Sequence, residues 1–276
     1  MTEPKTILIT GCSTGIGYET AKFLKHRGHH VIATARKPAD VARLTQEGFT
    51  ALQLDLADSA SIQQAVQKTL VLTHGKIDAL FNNGAFGQPG AVEDLSREAL
   101  RHQFETNLFG THELTNLIIP IMRQQGHGRI IYNSSVLGLV AMPFRGAYNA
   151  SKYALEGLAD TLRLELHGTN IHVCLIEPGP ILSEFRKNSF ALYKQNIDIT
   201  KSPHQKKYLA MEERLQKEGA AVPFTLPAQA VVNKVVHALE ANTPKIHYFV
   251  TFPTYLFAFL KRILPVTWLD YLLQKV

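Results

Sequence analysis

The stretch TILITGCSTGIGYETAKFLKHRG, residues 6–28, decides the fold. It opens on a short apolar run, TILIT at 6–10, of the kind that makes a buried strand. It turns through TGCSTGIG at 10–17, where Gly11, Gly15 and Gly17 let the backbone approach a ligand closely. It ends in YETAKFLKHRG at 18–28, an amphipathic helix closed by Gly28. Strand, glycine turn and helix in this order begin a βαβ unit. The free N–H groups and positive dipole end of such a helix suit a pyrophosphate, with Gly11, Ser13, Thr14, Gly15, Ile16 and Gly17 as candidate contacts.

The alternation continues outward. HVIATA (30–35), TALQLD (50–55), IDALFNN (77–83), GRIIYNSS (128–135), IHVCLIEPG (171–179) and KIHYFV (245–250) read as further strands. Helical patterns stand between them at 61–75, from about Arg97 to Gln125, and after Ala147. Strands alternating with helices predict an α/β fold, a parallel sheet covered on both faces. Residues 184–226 break the rhythm, and such an insert near strand C-termini commonly covers a ligand.

The chain of 276 residues carries a net charge of +6, and 45% of it is hydrophobic. The basic residues are scattered, so no nucleic-acid stripe is expected. Cys12 and Cys174 are far apart, without a metal-ligand spacing, and no metal is expected. The N-terminus lacks a signal-peptide pattern, and a reduced cytoplasmic protein is expected.

Two further segments bear on the ligand. After the second strand, where NAD-binding folds commonly place an acid, the chain has Ala35, Arg36 and Lys37. A guanidinium can grip a 2′-phosphate that a carboxylate would repel, so the segment points to NADP(H). Asp55, followed by Leu56, stands where it could reach an adenine edge. In GAYNASKYALEGLADTLRLEL (146–166), Tyr148 and Lys152 are four apart and share a helix face. Either the ammonium lowers the phenol's pKa for proton transfer, or the two are an aromatic–lysine pair on a solvated helix.

Together these features resemble the short-chain dehydrogenase/reductase family over roughly residues 5 to 250. The motifs are TGxxxGxG (Thr10 to Gly17), an Asn-rich turn, a helix asparagine in TNLFGTHELT, a serine thirteen residues before Tyr148, YxxxK, and PG after the sixth strand. The resemblance implies a Rossmann doubly wound fold, a seven-stranded parallel sheet of order 3-2-1-4-5-6-7. It implies a catalytic tetrad of Asn107, Ser135, Tyr148 and Lys152. Tyr148 would exchange the proton, Lys152 would lower its pKa and bind the nicotinamide ribose, Ser135 would hydrogen-bond the substrate oxygen, and Asn107 would hold a water. Asn83, Gly84, Ala85, Pro178, Gly179, Ile181 and Ser183 would complete the cofactor site.

Two departures stand out. The family's Asn-Asn-Ala-Gly turn is NNGA here, which alters its geometry if a positive φ is needed at one place. Ser183 replaces the usual threonine, and its hydroxyl can make the same hydrogen bond. The chain looks most like bacterial NADP-dependent aldehyde or ketone reductases, themselves similar to hydroxysteroid and retinol dehydrogenases. The expected activity is NADPH-dependent reduction of an apolar aldehyde or ketone. The alternatives are an NADP-dependent alcohol dehydrogenase acting on a steroid- or retinol-like substrate, and a non-catalytic NADP sensor. The resemblance also implies a homodimer or homotetramer.

Residues 1–250 are expected to form one catalytic domain with a lid at about 184–226, and 251–276 an apolar helical extension. That extension is broken by Pro253, Lys261, Arg262 and Pro265, and is too short to span a bilayer. Three fates are open to it: packing on the domain or a partner, walling the substrate pocket, or lying on a membrane surface.

Overall fold

The computed structural model describes residues 3–275. Seven strands, all parallel, form one sheet in the order β3-β2-β1-β4-β5-β6-β7. This is the expected order. The strands are β1 (Thr6–Ile9), β2 (His30–Ala35), β3 (Thr50–Gln53), β4 (Ala79–Asn82), β5 (Gly128–Asn133), β6 (Ile171–Glu177) and β7 (His247–Phe249). The order reverses between β1 and β4, and the crevice above that switch point is where ligands bind in open α/β sheets.

Side chains alternate across each strand, so each face of the sheet receives its own core. Ile7 and Ile9 of β1 face one layer, with Phe81 and Ile131 from β4 and β5. Helices α1 (Gly15–His26), α2 (Pro38–Gln46) and α9 (Gln229–Glu240) cover that layer through Leu24, Leu44 and Val235. Leu8 faces the other layer, with Leu80 and Ile130. There α3 (Ser59–Leu72), α5 (Gly110–Gln125) and α6 (Gly146–Glu165) bury Ile62, Leu114 and Leu155. Asp58 caps α3 by accepting from the Ala60 N–H at 2.9 Å.

Two of these helices, at 38–46 and 229–240, are not among those expected from the sequence. The long helix expected from Arg97 to Gln125 is in fact α4 (Arg97–Phe104) and α5, joined by a π-helical turn at Glu105–Phe109. Residues 184–226 contain α7 (Phe185–Asn196) and α8 (Gln205–Gln216). These two helices have a small core of their own, in which Tyr193 stacks on Tyr208 at 5.6 Å beside Met211 and Leu215. The Tyr208 hydroxyl donates to Asp94 at 2.6 Å and accepts from the Ala91 N–H at 2.8 Å, which fastens α8 to the segment after β4.

The C-terminal segment forms α10 (Phe252–Ile263) and α11 (Val266–Leu273). Phe257 and Leu273 pack on Val136, Leu137 and Val140. Among the described residues no helix is long and apolar enough to cross a membrane.

Candidate active site

A cavity of about 730 Å³ opens at the C-terminal ends of β1, β4, β5 and β6. Ser13, Thr14, Gly15 and Ile16 line one end, where α1 begins. Thr14 stands at the N-cap without making a side-chain cap, so the first-turn N–H groups of α1 are left for a ligand. Gly15 has φ +61° there, a conformation that favours glycine. A twelve-residue helix with an uncapped end at a deep crevice fits the pyrophosphate of a dinucleotide.

Gly11 and Gly17 serve the same turn by close packing. A Cβ on Gly11 would lie 2.8 Å from Gly84 Cα, and one on Gly17 would lie 2.3 Å from the Gly11 carbonyl oxygen. The NNGA turn is held from below by Thr10, whose Oγ1 accepts from the N–H groups of Asn83 (2.9 Å) and Gly84 (2.8 Å). Asn82, Asn83, Gly84 and Ala85 all avoid positive φ. The displaced glycine therefore costs the turn no strained conformation. What Gly84 supplies is closeness, since a Cβ on it would stand 3.1 Å from the Leu56 side chain.

A polar chain runs from this turn to the lysine. Asn83 donates to the Thr10 and Gly11 carbonyls, and Asn133 donates to Asn83 at 2.9 Å. Lys152 Nζ donates to the Asn133 carbonyl at 2.7 Å. Thr10 is expected from the sequence only as the start of the glycine motif and Asn133 not at all, because only the folded sheet brings their strand ends together.

Ser135, Tyr148 and Lys152 all line the cavity, with Pro178, Gly179, Ile181 and Ser183 across from them. Lys152 Nζ lies 5.6 Å from the Tyr148 ring centroid, and Phe185 meets that ring edge-on at 5.4 Å. Burial pushes the Tyr148 phenol up to about 12, against smaller downward pulls from the Ser135 hydroxyl and the Arg145 charge. Burial pushes Lys152 down to about 8, against the upward pull of Glu156. Ser135 and Arg145 thus both favour the ionised phenol, in the direction expected of Lys152.

Asn107 sits in the π turn, buried. Its amide donates to the Phe86 carbonyl (2.9 Å) and to Ser151 Oγ (3.2 Å), and accepts from the Phe86 N–H (3.1 Å). Its two side-chain donors are therefore in use. Ser134, the neighbour of Ser135, donates to Glu156. Glu156 faces Glu177 and His247 within 4.8 Å behind the site.

Six of the expected residues lie outside the cavity lining: Gly17, Arg36, Lys37, Asp55, Leu56 and Asn107. Asp55 turns its carboxylate back to accept from the Ala57 N–H at 3.0 Å. Arg36 and Lys37 are exposed at the end of β2. Arg43, on the unforeseen α2, donates to the Ser13 carbonyl at 2.5 Å and to Glu47 at 2.7 Å, so it stands next to the glycine turn as an ion pair.

Comparisons with known proteins agree with this geometry. The family described as short chain dehydrogenase matches residues 5–194. The chain is 43% identical to the uncharacterized oxidoreductase YbbO of Escherichia coli over 270 residues, covering 98% of this chain and 94% of that one. It is 32% identical to human 17-beta-hydroxysteroid dehydrogenase type 1 over 260 residues, covering 89% and 77%. A short chain dehydrogenase/reductase from Burkholderia phymatum, solved in complex with NAD, superposes with a TM-score of 0.80 at 24% identity over 95% and 93%. The chain belongs to the short-chain dehydrogenase/reductase family of NAD(P)(H)-dependent oxidoreductases acting on carbonyl and alcohol groups.

Proposed function

We propose that the protein reduces an apolar aldehyde or ketone to the alcohol with NADPH. The observation that carries this reading is the gathering of Ser135, Tyr148 and Lys152 in one cavity with the uncapped start of α1. The bound nicotinamide supplies the hydride and, when oxidised, a positive charge beside the phenol. Tyr148 donates the proton to the substrate oxygen, and Ser135 steadies the charge that develops there. Lys152 holds the nicotinamide ribose and passes protons toward Tyr148. Because both side-chain donors of Asn107 are taken, the water it holds would rest on its backbone carbonyl.

The preference for NADPH rests on Arg36 and Lys37, exposed at the β2 end beside the glycine turn. The 2′-phosphate would meet their charge. A panel of aldehydes, ketones and alcohols assayed with both nucleotides tests the reading. Reduction with kcat/KM at least ~10-fold higher for NADPH is expected, and Arg36→Asp should erase most of that ratio. Equal use of both nucleotides by the wild type would overturn the cofactor assignment. No turnover in either direction would leave only the sensor reading.

The apolar substrate is suggested by Leu137, Leu182, Phe185, Phe224, Leu256 and Phe257 in the cavity wall. A second reading concerns location. Phe252, Tyr255, Phe259, Ile263, Trp268 and Tyr271 are exposed on α10 and α11 near Lys261 and Arg262, which favours a face that touches anionic membrane surfaces. Co-sedimentation with anionic vesicles, lost in high salt and after deletion of 252–276, is the expected result. Absence of binding at low salt would remove this reading.

A further inference from the structure

The cavity carries more positive charge than hydride transfer needs. Its lining includes Arg145, Arg186 and Arg214, and its one lining carboxylate among the described residues, Glu184, lies 3.6 Å from Lys187. Arg186 is already occupied. It donates to the carbonyls of Arg214, Lys217 and Gly219, closing the C-terminal end of α8.

Arg145 and Arg214 are differently placed. Among the described residues no carboxylate comes within ion-pair distance of either. The contact Arg145 makes through its guanidinium is to the Met142 sulfur at 2.9 Å, a weak acceptor. Arg214 stands on α8 between Met211 and Leu215, which line the same cavity, so this face of the helix points inward. Burial pushes Arg145 down to about 10, and the Arg214 charge adds to that effect. Two guanidiniums facing one largely apolar cavity repel one another and are poorly solvated. An anion between them would relieve both penalties through charge-assisted hydrogen bonds. The pyrophosphate has its own cradle at the start of α1, and Arg145 stands instead three residues before Tyr148, at the reacting end.

We infer that Arg145 and Arg214 form a subsite for an anionic group, a carboxylate or phosphate, on the carbonyl substrate. The inference rests on the proposed reduction and names the substrate class: an oxo compound with an apolar body and an acidic group. Arg145 comes from the loop before α6 and Arg214 from α8, so the acid is held between the fixed catalytic helix and the covering segment.

The test compares 8-oxooctanoate with its methyl ester, both aldehydes of similar length, with NADPH. The acid should have kcat/KM at least ~10-fold above the ester, the value of one charge-assisted hydrogen bond, and the advantage should shrink as NaCl is raised. Arg214→Gln should bring the acid-to-ester ratio to within ~3-fold, and Arg214→Lys should keep part of it. Equal wild-type rates for acid and ester would overturn the subsite while leaving the reductase reading intact. If neither is reduced, calorimetry with octanoate, octyl phosphate and octanamide on the NADP-loaded protein still decides it. Tighter binding of either anion than of the amide supports the subsite, the tighter of the two naming its anion. Equal binding of all three overturns it.

Discussion

At the scale of single residues, the phenol of Tyr148 is the most exacting test. Tyr148→Phe removes one hydroxyl and leaves the ring against Phe185. Turnover should fall by at least ~10²-fold, the lower range for loss of general acid catalysis, while nucleotide binding persists. A near-normal kcat in the variant would break the assignment. Glu156 offers a second test, through pH. Burial and the Glu177 charge hold its carboxyl up at about 7, above its ordinary 4.5. The folded protein keeps a proton there that the unfolded chain gives up. The resulting stability is full below about pH 4.5 and is lost as pH rises through about 7. Glu177, raised chiefly by burial, and His247, raised chiefly by its bond to Glu177, act in the same direction. For Glu156 alone the loss is on the order of 3 kcal/mol. Denaturant titrations at pH 5 and 8 should show it, and Glu156→Gln should shrink the difference. A variant that loses as much stability as the wild type across that interval would refute this account.

At the scale of elements, the π turn between α4 and α5 does what a regular helix would not. It holds Asn107 inward against Phe86 and Ser151, and it ends at Gly110. A Cβ on Gly110 would stand 1.7 Å from the Leu56 carbonyl oxygen, so α5 and the segment after β3 touch backbone to backbone. Gly110→Ala should cost about 1–3 kcal/mol by overpacking and lower the melting temperature by roughly 2–12 °C. It should also weaken nucleotide binding by shifting Leu56. A melting curve indistinguishable from the wild type would show that the contact gives way cheaply. None of this was legible in the sequence. The glycine turn and the Tyr148–Lys152 pair could be read because their meaning lies in spacing within one turn or one helix. The value of Gly110 depends on a strand end far along the chain. Arg43 was hidden for a related reason: 38–46 was not read as a helix, so nothing placed it beside Ser13.

At the scale of the whole molecule, strand alternation carried the reading to a parallel sheet, because the apolar runs of the central strands are buried on both faces, and the family resemblance supplied the strand order. What it could not reach was the composition of the covered cavity. Arg145, Arg186 and Arg214 lie in three separate segments, and only packing of α7 and α8 over the crevice brings them to one space. The partition of the tail is similar. Phe257 and Leu273 turn inward while Trp268 and Tyr271 face out, a division that depends on where α10 and α11 dock.

The central place of β1 also has a consequence for how the protein is made. β1 leaves the ribosome before every other strand of this sheet, yet one of its two edges pairs with β4, which is completed only at Asn82. At synthesis rates of about 5–20 residues per second, the nascent chain carries an apolar strand with an open edge for on the order of seconds. Such an edge invites pairing with another chain. Arrested nascent chains that stop before Ala79 should therefore be held by chaperones far more than chains that extend past Asn82, and equal capture of the two would show that the early βαβ unit protects its own edge.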